Sequence, residues 1–276
     1  MGGAPMPVWR GMDRTPVIAA LEGGVLTLML NRPQRLNAMN NALIDAMNQE
    51  LARAKADPDI RAVLLTGIGR GFCAGADLSG GGTVDATTNT PPDLGRNMDR
   101  IFNPMIRAMR ELPKPIVGAI NGVAAGGGAN LALACDIIVA ARSARFDQAF
   151  VRISLLPDLG GTYFLPKSVG DARARALAML GHSVVAEDAE RMGMIWQAVD
   201  DAVLMDEATK LARRLAAGPT LSYAAIKKAI NAAATNSLDG QLDLERDSQR
   251  ALGRSDDFRE GVAAFLAKRA PKFVGR

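Results

Sequence analysis

Two stretches of this chain combine small residues with a preceding apolar run, and the chemistry open to such stretches is main-chain chemistry. The first is Gly71-Phe72-Cys73-Ala74-Gly75-Ala76-Asp77-Leu78, and the second is Asn121-Gly122-Val123-Ala124-Ala125-Gly126-Gly127-Gly128. Small side chains let a ligand reach the backbone, and amides at the start of a helix lack an internal acceptor and carry partial positive charge. Two such turns side by side could aim two N–H groups at one oxygen, the arrangement that stabilises an oxyanion. Glycine-rich turns after strands also occur simply as turns, and neither stretch fits a dinucleotide-binding or P-loop pattern in its proper context. A carboxylate stands in Pro157-Asp158-Leu159-Gly160-Gly161. On residue type alone that run is a turn signal, and Asp is a natural turn residue.

Side chains that usually carry harder chemistry are scarce. The 276 residues include one histidine, His182, and two cysteines, Cys73 and Cys135. That excludes a multi-histidine metal site, a four-cysteine zinc site and a disulfide scaffold, so no metal is expected. A Ser-His-Asp or Cys-His enzyme would have to use His182, which lies between helical segments and reads as a surface residue. Cys73 has no histidine near it in sequence and reads as a small packing residue rather than a nucleophile; Cys135 reads as core. Aromatic residues make up 4% of the chain, and Lys and Arg are interleaved with Asp and Glu, which argues against a nucleic-acid partner. The formal charge of +4 suits a polyphosphate-bearing small molecule. The most apolar stretch, Pro115 to Ala141, is interrupted by Asn121, Asn130 and Asp136 and makes a poor membrane span. Met1 to Pro16 has no apolar signal-like core and reads as a loose leader; both cysteines are then expected to be reduced in a cytoplasmic protein.

The elements that must position these residues follow from periodicity. Val25–Leu30, Ile60–Thr66, Pro115–Ile120, Asp136–Ala141 and Ile195–Val199 read as strands, the middle ones almost continuously apolar, as for strands buried on both faces. Asn40–Ala56 has helical spacing and stops at Asp57-Pro58. Asn97–Leu112 looks helical, with a kink or break at Pro104, and Gly126–Ala134 can form a helix. Thr83–Pro92 reads as a mobile, Thr- and Pro-rich loop. Strand, glycine-bearing turn, helix and strand recur from Ile60 and again from Pro115, which indicates stacked α/β units. Helices dominate from Asp171: Asp171–Leu180, Val203–Ala217, Thr220–Ala234, Leu238–Leu252 and Asp256–Ala270. A boundary near residue 200 therefore separates an α/β core (residues 17–200) from a helical region (residues 201–276) suited to packing on another subunit.

Several short motifs together carry a family resemblance. They are Leu30-Asn31-Arg32-Pro33 with Leu36-Asn37-Ala38, Gly69 to Leu78, Pro113-Lys114-Pro115 with Asn121-Gly122 and Gly126-Gly127-Gly128, and Pro157 to Thr162. On these the chain resembles the enoyl-CoA hydratase/isomerase (crotonase) superfamily over essentially all residues after Val17. Gly193 to Gln197, Gln241 to Asp247 and Phe265 to Arg269 resemble the branch that isomerises ring-1,2-epoxyphenylacetyl-CoA in bacterial phenylacetate degradation. The resemblance implies a spiral of ββα repeats with a C-terminal helical oligomerisation region, assembled as a homotrimer or a dimer of trimers. It implies an acyl-CoA thioester as substrate, with coenzyme A present only as part of it and no separate cofactor. It also implies that the amides of Ala76 and Gly127 hold the thioester oxygen, and that the backbone around Leu36, Ala38 and Ala74 faces adenine and pantetheine, with Asp77 and Leu78 adjoining. Arg32 or Arg35 would meet CoA phosphates or be solvated charges. Phe265 and Lys268 would either reach the CoA nucleotide or be the inner and outer faces of an amphipathic helix.

The departures from the family pattern select the reaction. Family hydratases use two glutamates, at the positions held here by Asn130 and Phe150. Asn130 has no proton to exchange and Phe150 has no polar atom, so both line a substrate pocket that cannot activate water. Several isomerases of the superfamily have an aspartate where this chain has Asp158. The resemblance thus implies an acyl-CoA isomerase with Asp158 as its acid/base, acting on the ring epoxide or, alternatively, as a Δ3,Δ2-enoyl-CoA isomerase. Phe150 and its apolar neighbours would dry the pocket and raise the aspartate pKa.

Overall fold

Strands β1 (Val17–Glu22) and β2 (Val25–Leu30) form an antiparallel hairpin across Gly23-Gly24. β2 then pairs in parallel with β3 (Ala62–Gly67), β3 with β5 (Ile116–Ile120), β5 with β7 (Ile137–Ala141), and β7 with β10 (Gln197–Val199). The result is a six-stranded sheet in the order β1-β2-β3-β5-β7-β10. All residues of β3 and β5 are buried, as their unbroken apolar runs require. This is a computed structural model, and it describes residues 15–78 and 93–276. The leader and the Thr83–Pro92 loop lie outside the described residues, apart from the end of the leader at Thr15-Pro16.

A second sheet of three-residue strands stands beside the first. It consists of β4 (Gly71–Cys73), β6 (Val123–Ala125), β8 (Arg145–Asp147) and β9 (Ser183–Val185), in that order. After β3, β5 and β7 the chain turns directly into β4, β6 and β8, so each repeat gives one strand to each sheet before a helix carries it onward. This is the ββα spiral expected of the crotonase fold. Three residues are too few to show a period, so in the sequence β4 and β6 look like turns and β8 and β9 leave no strand signal.

Two asparagines, buried Asn37 and half-buried Asn121, hold the turn between β3 and β4. Asn37 Nδ2 donates to Ile68 O at 3.0 Å and Gly71 O at 2.8 Å, while Asn121 Nδ2 donates to Gly69 O at 2.9 Å. The turn that leads to Ala76 is thereby fixed by side chains from two other segments.

The helices follow the sequence closely, apart from an earlier start before Asn97 and two short helices, Gly161–Val169 and Ala186–Arg191, that the periodicity does not show. Helix α1 (Asn41–Ala56) is capped by Asn40, whose side chain accepts from the Leu43 amide at 3.0 Å. The helix expected from Asn97 begins earlier, at α2 (Leu94–Asn97), and passes through a π-turn at Met98–Phe102 into α3 (Asn103–Glu111). The wider turn takes up Pro104, which has no N–H to give, so the helix continues instead of breaking. Helix α4 (Gly127–Leu133) is buried along its whole length. Helix α5 (Gly161–Val169) is absent from the sequence reading, because Pro166 inside it and the glycines before it resemble loop residues. Next come α6 (Asp171–Leu180), α7 (Ala186–Arg191), α8 (Leu204–Ala216), α9 (Thr220–Ala232), α10 (Leu238–Leu252) and α11 (Asp256–Leu266).

Although α8 follows residue 200, it packs Leu204, Ala208, Ala212 and Ala216 into the core on the large sheet. The outlying helices begin at α9, which is tied down by polar contacts: Lys227 Nζ reaches Asp136 Oδ2 and Met109 O, each at 2.8 Å. The last residues return to the core, where Arg61 donates to Phe273 O at 3.0 Å and Asp257 accepts from the amides of Val274 and Gly275. Among the described residues no helix is long and apolar enough to cross a membrane.

Candidate active site

The two glycine-bearing turns meet. A Cβ placed on Gly75, whose φ is +93°, would lie 2.8 Å from Ala125 O and 3.3 Å from the Gly127 amide nitrogen. One placed on Gly128 would lie 2.0 Å from Cys73 O, so the start of α4 rests directly on the end of β4. Ala76 pairs with Met39 in an isolated parallel bridge, and the Met39 amide donates to Gly75 O at 2.7 Å. The Gly126 amide donates to Asp147 O at 2.8 Å, whereas Gly127, as first residue of α4, has no intrahelical acceptor for its own N–H. The amides of Ala76 and Gly127 make no hydrogen bond among the described residues, and both border one cavity of about 460 Å³.

That cavity gathers Ala74, Ala76, Leu78, Gly127, Phe150 and Asp158 from the residues anticipated in the sequence. Asp158 has one carboxylate oxygen, Oδ1, buried without a hydrogen-bond partner. The same oxygen would lie 3.5 Å from a Cβ on Gly127, which puts the carboxylate beside the start of α4. Burial pushes its carboxyl up to about 6, opposed by its own main-chain amide. The Phe150 ring lies over Gly126, and Met98 and Phe102 from the π-turn also line the cavity. Arg152 and Asp158 are the titratable side chains on the cavity wall among the described residues.

Other anticipated residues lie elsewhere. Asn130 is fully buried behind the wall rather than on it, with Nδ2 donating to Asp158 O at 2.8 Å and Oδ1 accepting from Gln148 Nε2 at 2.9 Å. Its role toward Asp158 is therefore structural support, because it is packed inside α4 and cannot turn toward a substrate. Arg32 points inward, pairing with buried Asp77 at 2.8 Å and donating to Ala38 O. Arg35 is exposed. Leu36 is held by a bond from the Ala74 amide to its carbonyl at 2.9 Å. Phe265 is 82% exposed and, like exposed Lys268, does not border the cavity. Cys73 is buried and its thiol is pushed up to about 12 by burial, as a packing residue would be. His182 is exposed.

The sequence reading did not single out Gln148, Met98 or Phe102. Gln148 sits one residue past a three-residue strand and offers no motif. Met98 and Phe102 looked like ordinary helix-core positions, and the π-turn that swings them toward the cavity leaves no sequence signal apart from Pro104.

Known proteins resemble this chain in sequence and fold. The family model described as enoyl-CoA hydratase/isomerase matches residues 20–276. The chain is 54% identical over 94% of its length, and 98% of the relative's, to a 1,2-epoxyphenylacetyl-CoA isomerase of Escherichia coli K12. It is 34% identical to a trans-2-decenoyl-[acyl-carrier-protein] isomerase of Streptococcus mutans, covering 96% of this chain and all of that one. A crystal structure of an enoyl-CoA hydratase from Bacillus anthracis superposes with a TM-score of 0.88 at 29% identity, covering 95% of this chain and all of the other. With the family model spanning nearly the whole chain and the fold matched end to end, the protein belongs to the enoyl-CoA hydratase/isomerase family.

Proposed function

We propose that this enzyme isomerises an acyl-CoA thioester and that its substrate is ring-1,2-epoxyphenylacetyl-CoA, converted to the oxepin. The observation that carries the reading is Asp158, the one carboxylate among the described residues of a mostly apolar wall, beside two unpaired amides. Hydration needs one group to activate water and another to protonate carbon, and Phe150 and Asn130 supply neither. The 54% identity to an isomerase of that name supports the choice of acyl group.

In this reading the thioester oxygen accepts hydrogen bonds from the Ala76 and Gly127 amides. Asp158 takes a proton from the carbon next to the carbonyl, and the charge moves onto the held oxygen. Each such donor is worth about 3–4 kcal/mol of barrier. The carboxylic acid then returns the proton farther along the conjugated system, so mass is unchanged. In the epoxide the same shift of electrons assists opening of the three-membered ring. The apolar wall around Phe150 keeps water from the intermediate.

A Δ3,Δ2-enoyl-CoA isomerase is the second reading, since one base and two amides also suffice to move a double bond, and the Streptococcus mutans relative is an isomerase of unsaturated thioesters by name. Coenzyme A enters only as part of the substrate. The enzyme is cytoplasmic and belongs to phenylacetate breakdown. It self-associates as a trimer or dimer of trimers through its outer helices, where Ile230 and Leu238 are 68% and 74% exposed.

The test is product mass on a panel of the epoxide, 3-enoyl-CoA and 2-enoyl-CoA thioesters. Unchanged mass with the epoxide turned over fastest is expected; efficient addition of water to a 2-enoyl-CoA would overturn the assignment. A pH profile gives a second expectation. The proton-accepting form of Asp158 is the carboxylate, and its pKa is raised to about 6, so kcat/KM should climb as pH rises through about 6 and level off above 7. A profile flat from about pH 5 to 8 would remove Asp158 from the reaction.

A further inference from the structure

Asp158 is followed by backbone that needs outside support. Leu159 has φ +48° and Gly160 φ +79°, and the left-handed region is unfavourable for leucine. The Asp158 carbonyl is held by two donors, the Gly161 amide at 2.8 Å and Asn130 Nδ2 at 2.8 Å. Asn130 is in turn held by Gln148, which is 3% exposed and donates from Nε2 to Asn130 Oδ1 at 2.9 Å. The direction of this relay is set at the Asp158 end. A carbonyl only accepts, so Asn130 must present its NH2 group there and its oxygen to Gln148, which must present its own NH2 group. Gln148 Oε1 is left buried without a donor, and the relay persists in spite of that. Gly161 closes the remaining side: a Cβ there would lie 2.2 Å from Asn130 Nδ2.

We infer that Gln148 is a positioning residue which, through Asn130, fixes the main chain of Asp158 and so the place of its carboxylate in the cavity. The inference rests on the reading of Asp158 as the acid/base. Few charges surround the relay. Asp147 precedes Gln148, Arg152 of the following turn donates to Gly181 O at 2.6 Å, α4 carries no charged residue, and Lys167 of α5 stands over the Tyr163 ring.

Two variants of the full-length enzyme, Gln148→Met and Gln148→Glu, test it, assayed on the epoxide thioester or the best substrate of the panel. Gln148→Met removes the donor at similar volume; kcat should fall about 10- to 100-fold with KM little changed, since the substrate contacts remain and only the base is displaced. Gln148→Glu is a switch. Protonated Glu can donate to Asn130 Oδ1, whereas ionised Glu can only accept. Its activity should therefore fall at high pH, where the wild type is at its plateau, and this falling limb is read on one preparation against itself. Wild-type kcat in Gln148→Met, or a Gln148→Glu profile that only rises with pH, would overturn the inference. Failure of both variants to fold would do so as well, by making Gln148 purely structural. If instead Asp158→Asn retains turnover, the acid/base reading fails whatever the Gln148 variants do.

Discussion

Replacing Asp158 with asparagine should reduce turnover by about 10²–10⁴-fold while leaving the protein more stable at neutral pH. The two effects share one cause. The carboxyl lies among Phe150, Leu159 and the glycines of α4 with Oδ1 unpaired, which favours its neutral form. Its folded pKa of about 6 lies above the ordinary 3.8, so the folded state binds the proton more tightly than the unfolded chain does. The stability that this provides is complete below about pH 4 and is lost as pH rises through about 6. At pH 8 the ionised group is a net burden on the order of 1–3 kcal/mol, which asparagine relieves. Thermal melts of both proteins at pH 5 and pH 8, alongside kcat, check this. The variant should gain a few degrees at pH 8 and roughly half as much at pH 5, where the unfolded carboxyl is already ionised and the folded one is not. Equal melting temperatures at both pH values together with full activity would make Asp158 an ordinary turn residue.

Gly128→Ala should be nearly as damaging to activity by a different route. The added carbon would fall 2.0 Å from Cys73 O, which is main chain and cannot move without moving β4. The start of α4 must therefore retreat from the turn at Ala74–Ala76, and the two amides no longer converge. Overpacking of this kind costs about 1–3 kcal/mol of stability. Losing alignment of one oxyanion donor costs a further factor of about 10²–10³ in kcat. The control is Gly23→Ala, where no atom lies within 4 Å of the added carbon, so its effect is confined to the backbone strain of a positive φ in the β1–β2 turn. Activity in Gly128→Ala equal to that of this control would show that the convergence of the turns is not needed for turnover.

Legibility in the sequence followed the length over which a pattern could repeat. Strands such as Val25–Leu30 and helices such as Asn41–Ala56 were plain because six to sixteen residues hold a period. The small sheet was hidden because each of its strands has three residues, and β4 and β6 looked like turns rich in small residues. Helix α5 was hidden by Pro166. In the site, Ala76, Gly127, Asp158 and Phe150 could be located from motifs, since main-chain chemistry requires small residues in fixed places. Asn130 was found for the wrong position: residue type told of a missing carboxylate but not that the side chain faces inward. Arg32 was free on paper, whereas its partner Asp77 lies 45 residues away and only the fold brings them to 2.8 Å.

A thioester oxygen held, as proposed, by the main-chain amides of Ala76 and Gly127 would divide the labour of the site. Among the standard residues only proline deletes a backbone N–H, so the part that would activate the thioester is inherited with the path of the chain. The part that would decide where protons go resides in a few side chains, Phe150 and Asp158, that stand beside the start of α4 without belonging to it. A scaffold built this way can change its reaction while keeping its electrophile, which is how isomerases and hydratases can share one fold.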